Sequence, residues 1–218
     1  MQKAIIILSG GMDSTTLLYQ INKEYDVHAL SFNYGQKHTK ELNVATKTCN
    51  KLNINHKIFD LSVLNEIAPS ALTRNEWQVP EGHYTDENMK QTVVPNRNMV
   101  MLSLATSYAI AKKADCLFYG AHAGDHDIYP DCRKEFVDAM INAIKLADWH
   151  QVQLVAPYLN IDKEAIVKIG KTFKVDYSLT WTCYKGKELA CGKCGSCVER
   201  LEAFEKAKGW IREDNAFY

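Results

Sequence analysis

Apolar positions follow two alternating rhythms along the chain. Short runs of apolar and β-branched residues at 4–8, 27–32, 54–59, 116–119 and 152–156 have the length and composition of strands. The first of them, Ala4-Ile5-Ile6-Ile7-Leu8, has no polar position on either side, as in a strand of a parallel sheet covered on both faces. Between the runs the spacing lengthens to that of helices. Leu17, Leu18 and Ile21 form one apolar face; Leu42, Ala45, Cys49 and Leu52 form the next; Met99, Leu102, Ala105 and Ala109 belong to a longer, more buried helix. Further faces follow at Phe136, Met140, Ile144 and Ala147, at Ala165, Ile166, Ile169 and Phe173, and at Val198, Leu201, Phe204 and Ala207. This alternation predicts an α/β fold with a doubly wound, mainly parallel five-stranded sheet. Its first strand should be central, and ligands should bind at the carboxyl ends of the strands. The rhythm breaks at 61–96, where Pro69, Pro80, Gly82 and Pro95 interrupt a polar stretch that reads as a long loop or lid.

The first strand runs into Ser9-Gly10-Gly11-Met12-Asp13-Ser14-Thr15-Thr16. The glycines allow a sharp turn, Ser14, Thr15 and Thr16 offer helix caps, and free amides at a helix start favour an anion. Neither the dinucleotide fingerprint nor the Walker loop is present. The segment resembles the S-G-G-x-D-S loop of the ATP pyrophosphatases, which holds the β,γ-phosphates of ATP while an acceptor oxygen attacks the α-phosphate. In that resemblance Asp13 helps bind Mg²⁺. Arg97 and Lys163 each stand at the start of a helical pattern, where a cation is unfavourable without an anionic partner. Phosphate would supply one, as would a structural salt bridge. Asp131, Arg133 and Glu135 at another loop-to-helix junction suit planar recognition of a heterocycle edge, or else a cap with solvated neighbours.

Near the end, Cys183, Cys191, Cys194 and Cys197 have the spacing of a knuckle that closes around tetrahedral Zn²⁺, although an iron–sulfur cluster also accepts four cysteines. Composition narrows the picture. The 218 residues have a formal net charge of zero, which argues against a basic field for nucleic acid or anionic membranes and for small-molecule substrates. No apolar stretch approaches a bilayer span and no cleavable signal is evident, so the expected compartment is the cytoplasm. Seven cysteines, odd in number and clustered, then point to metal rather than disulfides.

Taken together, the phosphate loop, the segment Phe32-Asn33-Tyr34-Gly35-Gln36-Lys37-His38, Val94-Pro95-Asn96-Arg97-Asn98, Tyr129-Pro130-Asp131-Cys132-Arg133, Ile161-Asp162-Lys163 and the cysteines resemble the 7-cyano-7-deazaguanine synthase family of queuosine biosynthesis. The resemblance covers nearly the whole chain. It implies an adenine nucleotide alpha hydrolase-like domain over 1–180 with a zinc-binding segment over 181–218. It also implies an ATP-dependent ligase that is cytoplasmic and homodimeric, carries one Zn²⁺, uses Mg²⁺ with ATP and makes no direct contact with nucleic acid.

Carried over, the resemblance places Leu8, Ser9, Gly10, Gly11, Met12, Asp13, Ser14, Thr15, Thr16, Leu17 and Leu18 around ATP, with Leu30 and Phe32 near adenine. Asp13, Lys163 and Arg97 would be catalytic. Tyr34, Gln36, His38, Asp125, Tyr129, Asp131 and Arg133 would form the substrate pocket. The chain departs from many relatives at His122-Ala123-Gly124-Asp125-His126-Asp127-Ile128-Tyr129, where they carry Cys-Glu-Thr-Asp-Phe-Ser-Gly-Tyr. The implied reaction turns 7-carboxy-7-deazaguanine, ATP and ammonia into the nitrile through adenylated carboxylate and amide. The alternatives are an adenylating tRNA-modifying enzyme (a sulfur transferase or lysidine-type ligase), a related synthetase acting on another carboxylate, and a nucleotide sensor without catalysis.

Overall fold

The computed structural model describes residues 1–83, 87–126 and 128–207. Five parallel strands form one sheet in the order β3-β2-β1-β4-β5. They are β1 (Gln2–Ile7), β2 (Tyr25–Asn33), β3 (Asn55–Asp60), β4 (Cys116–Phe118) and β5 (Gln153–Val155). The helices are α1 (Met12–Ile21), α2 (Lys40–Leu52), α3 (Val63–Ile67), α4 (Arg97–Ala111), α5 (Lys134–Lys145), α6 (Lys163–Thr172) and α7 (Gly195–Lys206). The strand with no polar face is the central one, as expected: Ala4, Ile5 and Ile6 are fully buried, with Ala4 opposite Val27 and Ile6 opposite Phe118.

The sheet separates two apolar layers. Ile5, Leu30, Leu102, Ala105 and Leu117 pack on one side, and Ala4, Ile6, Leu17, Leu18, Ala45, Cys49 and Ile166 on the other. Cys49 is the inert core residue that its position on the α2 face implies. The segment 61–96 is not a loose lid in its described part. Ala71, Leu72 and Met89 are fully buried, Ala71 N donates to Gln91 O, and Lys37 N donates to Leu72 O. Apolar anchors interleaved among the Pro and Gly residues pin the segment to the core.

The helix caps differ in one informative way. Asp162 caps α6, its side chain accepting from Ala165 N at 2.8 Å. For α1 the cap is Gly11 and not a hydroxyl residue, so Ser14, Thr15 and Thr16 lie inside the helix. Thr16 Oγ1 donates to Met12 O and meets Tyr177 OH, while the Thr15 side chain is fully buried in the wall behind the loop.

The cysteine segment packs on the rest of the molecule at several places, two of which reach the phosphate loop and its helix. Trp181 N donates to Gly10 O at 2.9 Å, and α7 joins Met12 of α1 and Val167 of α6 through Ala203 and Phe204.

Candidate active site

A cavity of about 200 Å³ opens at the carboxyl ends of β1, β2 and β4. Its floor is the turn after β1. Gly10 has φ +87°, and a Cβ there would stand 2.1 Å from Glu41 O. Both facts exclude any other residue, so Gly10→Ala should destabilise the protein by about 3 kcal/mol or more, read as a fall in the midpoint of chemical denaturation. An unchanged midpoint would show that the turn relaxes without cost. The turn leaves the first amides of α1 without helical partners, as every helix start does. Beside them Ser9 Oγ and Ser14 Oγ lie 3.0 Å apart, and Gly11 N donates to Ser9 Oγ. Amides, two hydroxyls and the positive end of α1 thus converge on one point, which suits an anionic phosphate.

Asp13 and Lys163 meet over this floor. Lys163 is buried, with Nζ 3.4 Å from Asp13 Oδ2 and 2.6 Å from Glu199 Oε2. Burial alone would lower the Lys163 ammonium, but the surrounding Asp13, Glu199 and Asp125 carboxylates outweigh it and hold the group charged, above its ordinary value. Asp13 Oδ1 is buried with no hydrogen-bond partner. An oxygen in that condition is suited to a cation. Burial raises Glu199 against the pull of Lys163 and His122.

His122, Asp125 and Glu199 offer donor atoms close enough to hold an ion. The hydrogen bonds assign the imidazole another part. Gly124 N–H donates to His122 Nδ1 at 3.1 Å, so the ring proton is on Nε2, which faces Asp125 Oδ2 at 3.4 Å and Asp13 Oδ2 at 3.8 Å. A nitrogen that carries the proton turns it toward these carboxylates and, in this tautomer, has no lone pair for a metal. Glu199 and His122 were not singled out from sequence.

The other wall of the cavity is aromatic. Tyr34, Tyr119, Tyr129, Trp181 and Tyr184 line it together with Phe32, His38, Glu41, Arg97 and Cys132. Arg97 Nη1 donates to Tyr34 OH at 3.1 Å, and its guanidinium lies 5.3 Å from the Tyr34 ring centre. Tyr129 OH meets Thr92 Oγ1 at 2.8 Å and Tyr184 OH at 3.4 Å. Burial pushes the Cys132 thiol well up, keeping it neutral beside Tyr119 OH and Asn98 Nδ2. The Glu41 carboxyl is pushed up to about 8 by burial, against the Gln36 amide and the Arg97 charge, which lower it. Burial and Arg97 together push His38 down to about 3.

Several expected site residues stand elsewhere. Leu17 and Leu18 are core, and Leu30 O is taken by Leu8 N. The Gln36 side chain is spent within its own turn, accepting from Tyr34 N and donating to Phe32 O and Glu41 Oε1. Asp131 does cap a helix, though not the one that follows it: Oδ2 accepts from Asn98 N in the first turn of α4. Arg133 is exposed, its Nε donating to His126 O. Asp127 lies outside the described residues. Tyr34, His38, Asp125, Tyr129, Arg97, Lys163 and the phosphate loop do meet in one cavity.

Beside the cavity the four cysteines bring their sulfurs within 4.8 Å of one another, and none is in a disulfide. Cys191 and Cys197 Sγ are 4.0 Å apart; backbone amides of Cys191, Lys193 and Cys194 donate to sulfur. Thiolates at ~2.3 Å from a tetrahedral ion stand ~3.8 Å apart, so this cluster is compatible with one structural metal.

The fold and this strand–glycine loop–helix site define a PP-loop α/β protein. Among solved structures, NMN synthetase from Francisella tularensis has the same fold, with TM-score 0.53 and 15% identity, over 86% of this chain and 68% of that one. The U34-tRNA thiolase NcsA from Methanococcus maripaludis matches at TM-score 0.51 and 20% identity, over 93% of this chain and 64% of that one.

Sequence comparison is more specific. The family profile described as "Queuosine biosynthesis protein QueC" matches residues 3–208, and the chain belongs to that family. A 7-cyano-7-deazaguanine synthase of Caldicellulosiruptor saccharolyticus is 65% identical over 205 residues, which is 94% of this chain and 91% of the relative. One from Methanoregula boonei is 63% identical over 206 residues, covering 94% of this chain and 95% of the relative. No helix among the described residues is long and apolar enough to cross a membrane.

Proposed function

We propose that this protein is an ATP-dependent carbon–nitrogen ligase that makes 7-cyano-7-deazaguanine from 7-carboxy-7-deazaguanine and ammonia, releasing AMP and pyrophosphate. The supporting observation is one cavity that joins the phosphate loop, with Asp13 and Lys163 above it, to an aromatic wall suited to a planar heterocycle. A carboxylate is a poor acyl donor because oxide would have to leave, and adenylation replaces oxide with AMP. The loop amides and the Lys163 ammonium would stabilise charge gathering on departing pyrophosphate. Asp13 would hold Mg²⁺, which when bound shields the phosphates. Arg97, fixed against Tyr34, would face the anionic reactants. His122 would keep Asp13 and Asp125 oriented through its Nε2–H.

Zinc in the cysteine knuckle would be structural: it anchors the segment that brings Trp181, Thr182, Tyr184 and Ser196 to the cavity and Glu199 to Lys163. A homodimer in the cytoplasm, acting on free small molecules, agrees with the balanced charge. The alternative of a sulfur transferase finds little support, because the cavity's cysteine, Cys132, is a neutral thiol rather than a reactive thiolate.

Mass spectrometry of products formed from ATP, ammonium and candidate carboxylates tests this reading. Both oxygens of the carboxylate must leave, and each needs its own activation. Two AMP should therefore accumulate per nitrile, and added 7-amido-7-deazaguanine should be converted without ammonia at the expense of one ATP. Product that stops at the amide would identify an amide synthetase instead.

A further inference from the structure

The proposed reaction leaves one task without a residue. Near neutral pH ammonia is almost wholly ammonium, which has no lone pair, so a proton must be removed before nitrogen can attack. Three carboxylates line the cavity: Asp13, Asp125 and Glu41. Asp13 and Asp125 are bound up with Lys163 and His122. Glu41 stands apart from that cluster. It lies in the first turn of α2, is buried, and among the described residues has no lysine or arginine within salt-bridge distance. The groups facing it are the Gln36 amide, 2.8 Å from Oε1, and His38 Nε2, 3.4 Å from Oε2, with Arg97 reaching it from α4 by charge alone.

A buried carboxyl without a cation is costly to the fold, and one in a cavity wall is a candidate for chemistry. Tyr184 lines the same cavity, and an aromatic ring there favours a small cation, as Arg97 over Tyr34 and Lys40 over Trp181 already show. Resting on the reading above, we infer that Glu41 binds ammonium and takes its proton. Ammonium gives one proton to the Glu41 carboxylate. The freed lone pair then attacks the adenylated carbonyl carbon, the carbon–oxygen bond to AMP breaks, and the second surplus proton leaves on the AMP phosphate. The acceptor must be ionised, so in the wild type amide formation at fixed total ammonium should rise as pH passes through about 8, where Glu41 loses its proton.

The test is Glu41→Gln in the full-length protein, followed by two readouts: carboxylate-dependent ATP–pyrophosphate exchange, and amide formation against ammonium concentration. Exchange should stay within about threefold of wild type, while kcat/KM for ammonium falls about 100-fold at neutral pH. Near about pH 9.5, where solvent has already freed the ammonia, the deficit should shrink below about tenfold. Glu41→Asp keeps the charge with a shorter reach; it should raise KM for ammonium with exchange intact, and it serves if the glutamine variant does not fold. Exchange that falls in step with amide formation in both variants, an unchanged ammonium dependence, or a deficit independent of pH would overturn the assignment. Absence of carboxylate-dependent exchange in the wild type would instead overturn the substrate reading on which it rests.

Discussion

Cys194→Ser should release the bound metal and unfold the C-terminal part of the site in one event. The four sulfurs converge within 4.8 Å, so a closed thiolate site there contributes folding free energy directly, and loss of one ligand should cost several kcal/mol, at least ~3. The damage should reach the chemistry. Cys194 is the N-cap of α7, which carries Ser196 into the cavity wall and Glu199 to Lys163. On the other side of the knuckle Trp181 is hydrogen-bonded to Gly10 in the phosphate loop. Elemental analysis, thermal unfolding and ATP turnover should therefore fall together, and a chelator strong enough to strip the wild type should reproduce all three. A metal-free variant with normal melting and turnover would show that the cysteines are only packed thiols.

Asp13→Asn should leave the fold intact and reduce turnover by about 10³-fold or more. The substitution keeps shape and removes one charge. Lys163 retains Glu199 at 2.6 Å, so its ammonium is not left buried and alone, and the melting temperature should move by no more than a few degrees. What disappears is the carboxylate oxygen at the cavity floor that has no hydrogen-bond partner among the described residues. Apparent affinity for Mg²⁺ should fall with the rate. A variant that turns over ATP normally would remove Asp13 from the site.

What could be read in advance follows from the range of each interaction. The strand of five apolar residues, the glycine turn and the cysteine spacing are local patterns, and their consequences were predictable: a central β1, an anion cradle at its end, and four sulfurs gathered together. Glu199 and His122 were not, because their meaning lies in Lys163 and Asp13, far away along the chain. Side-chain direction was also hidden. Nothing in the order Tyr34-Gly35-Gln36 says that the amide of Gln36 turns back to close its own loop, or that Asp131 reaches α4 rather than capping α5. One signal is present in the spacing: Glu41 sits four residues before Ala45 and eight before Cys49, on the face that α2 buries. A carboxylate in line with core residues asks for a reason.

The bond between Trp181 and Gly10, with the pair Lys163–Glu199, also bears on the order of events during synthesis. The phosphate loop leaves the ribosome before its far wall and before the carboxylate partner of Lys163, since Trp181 and Glu199 both lie far downstream of it. Contacts this distant along the chain form late and slowly. A nascent chain thus carries an open half-site, and ATP binding should appear only when the cysteine segment has docked, so nucleotide affinity reports completed folding.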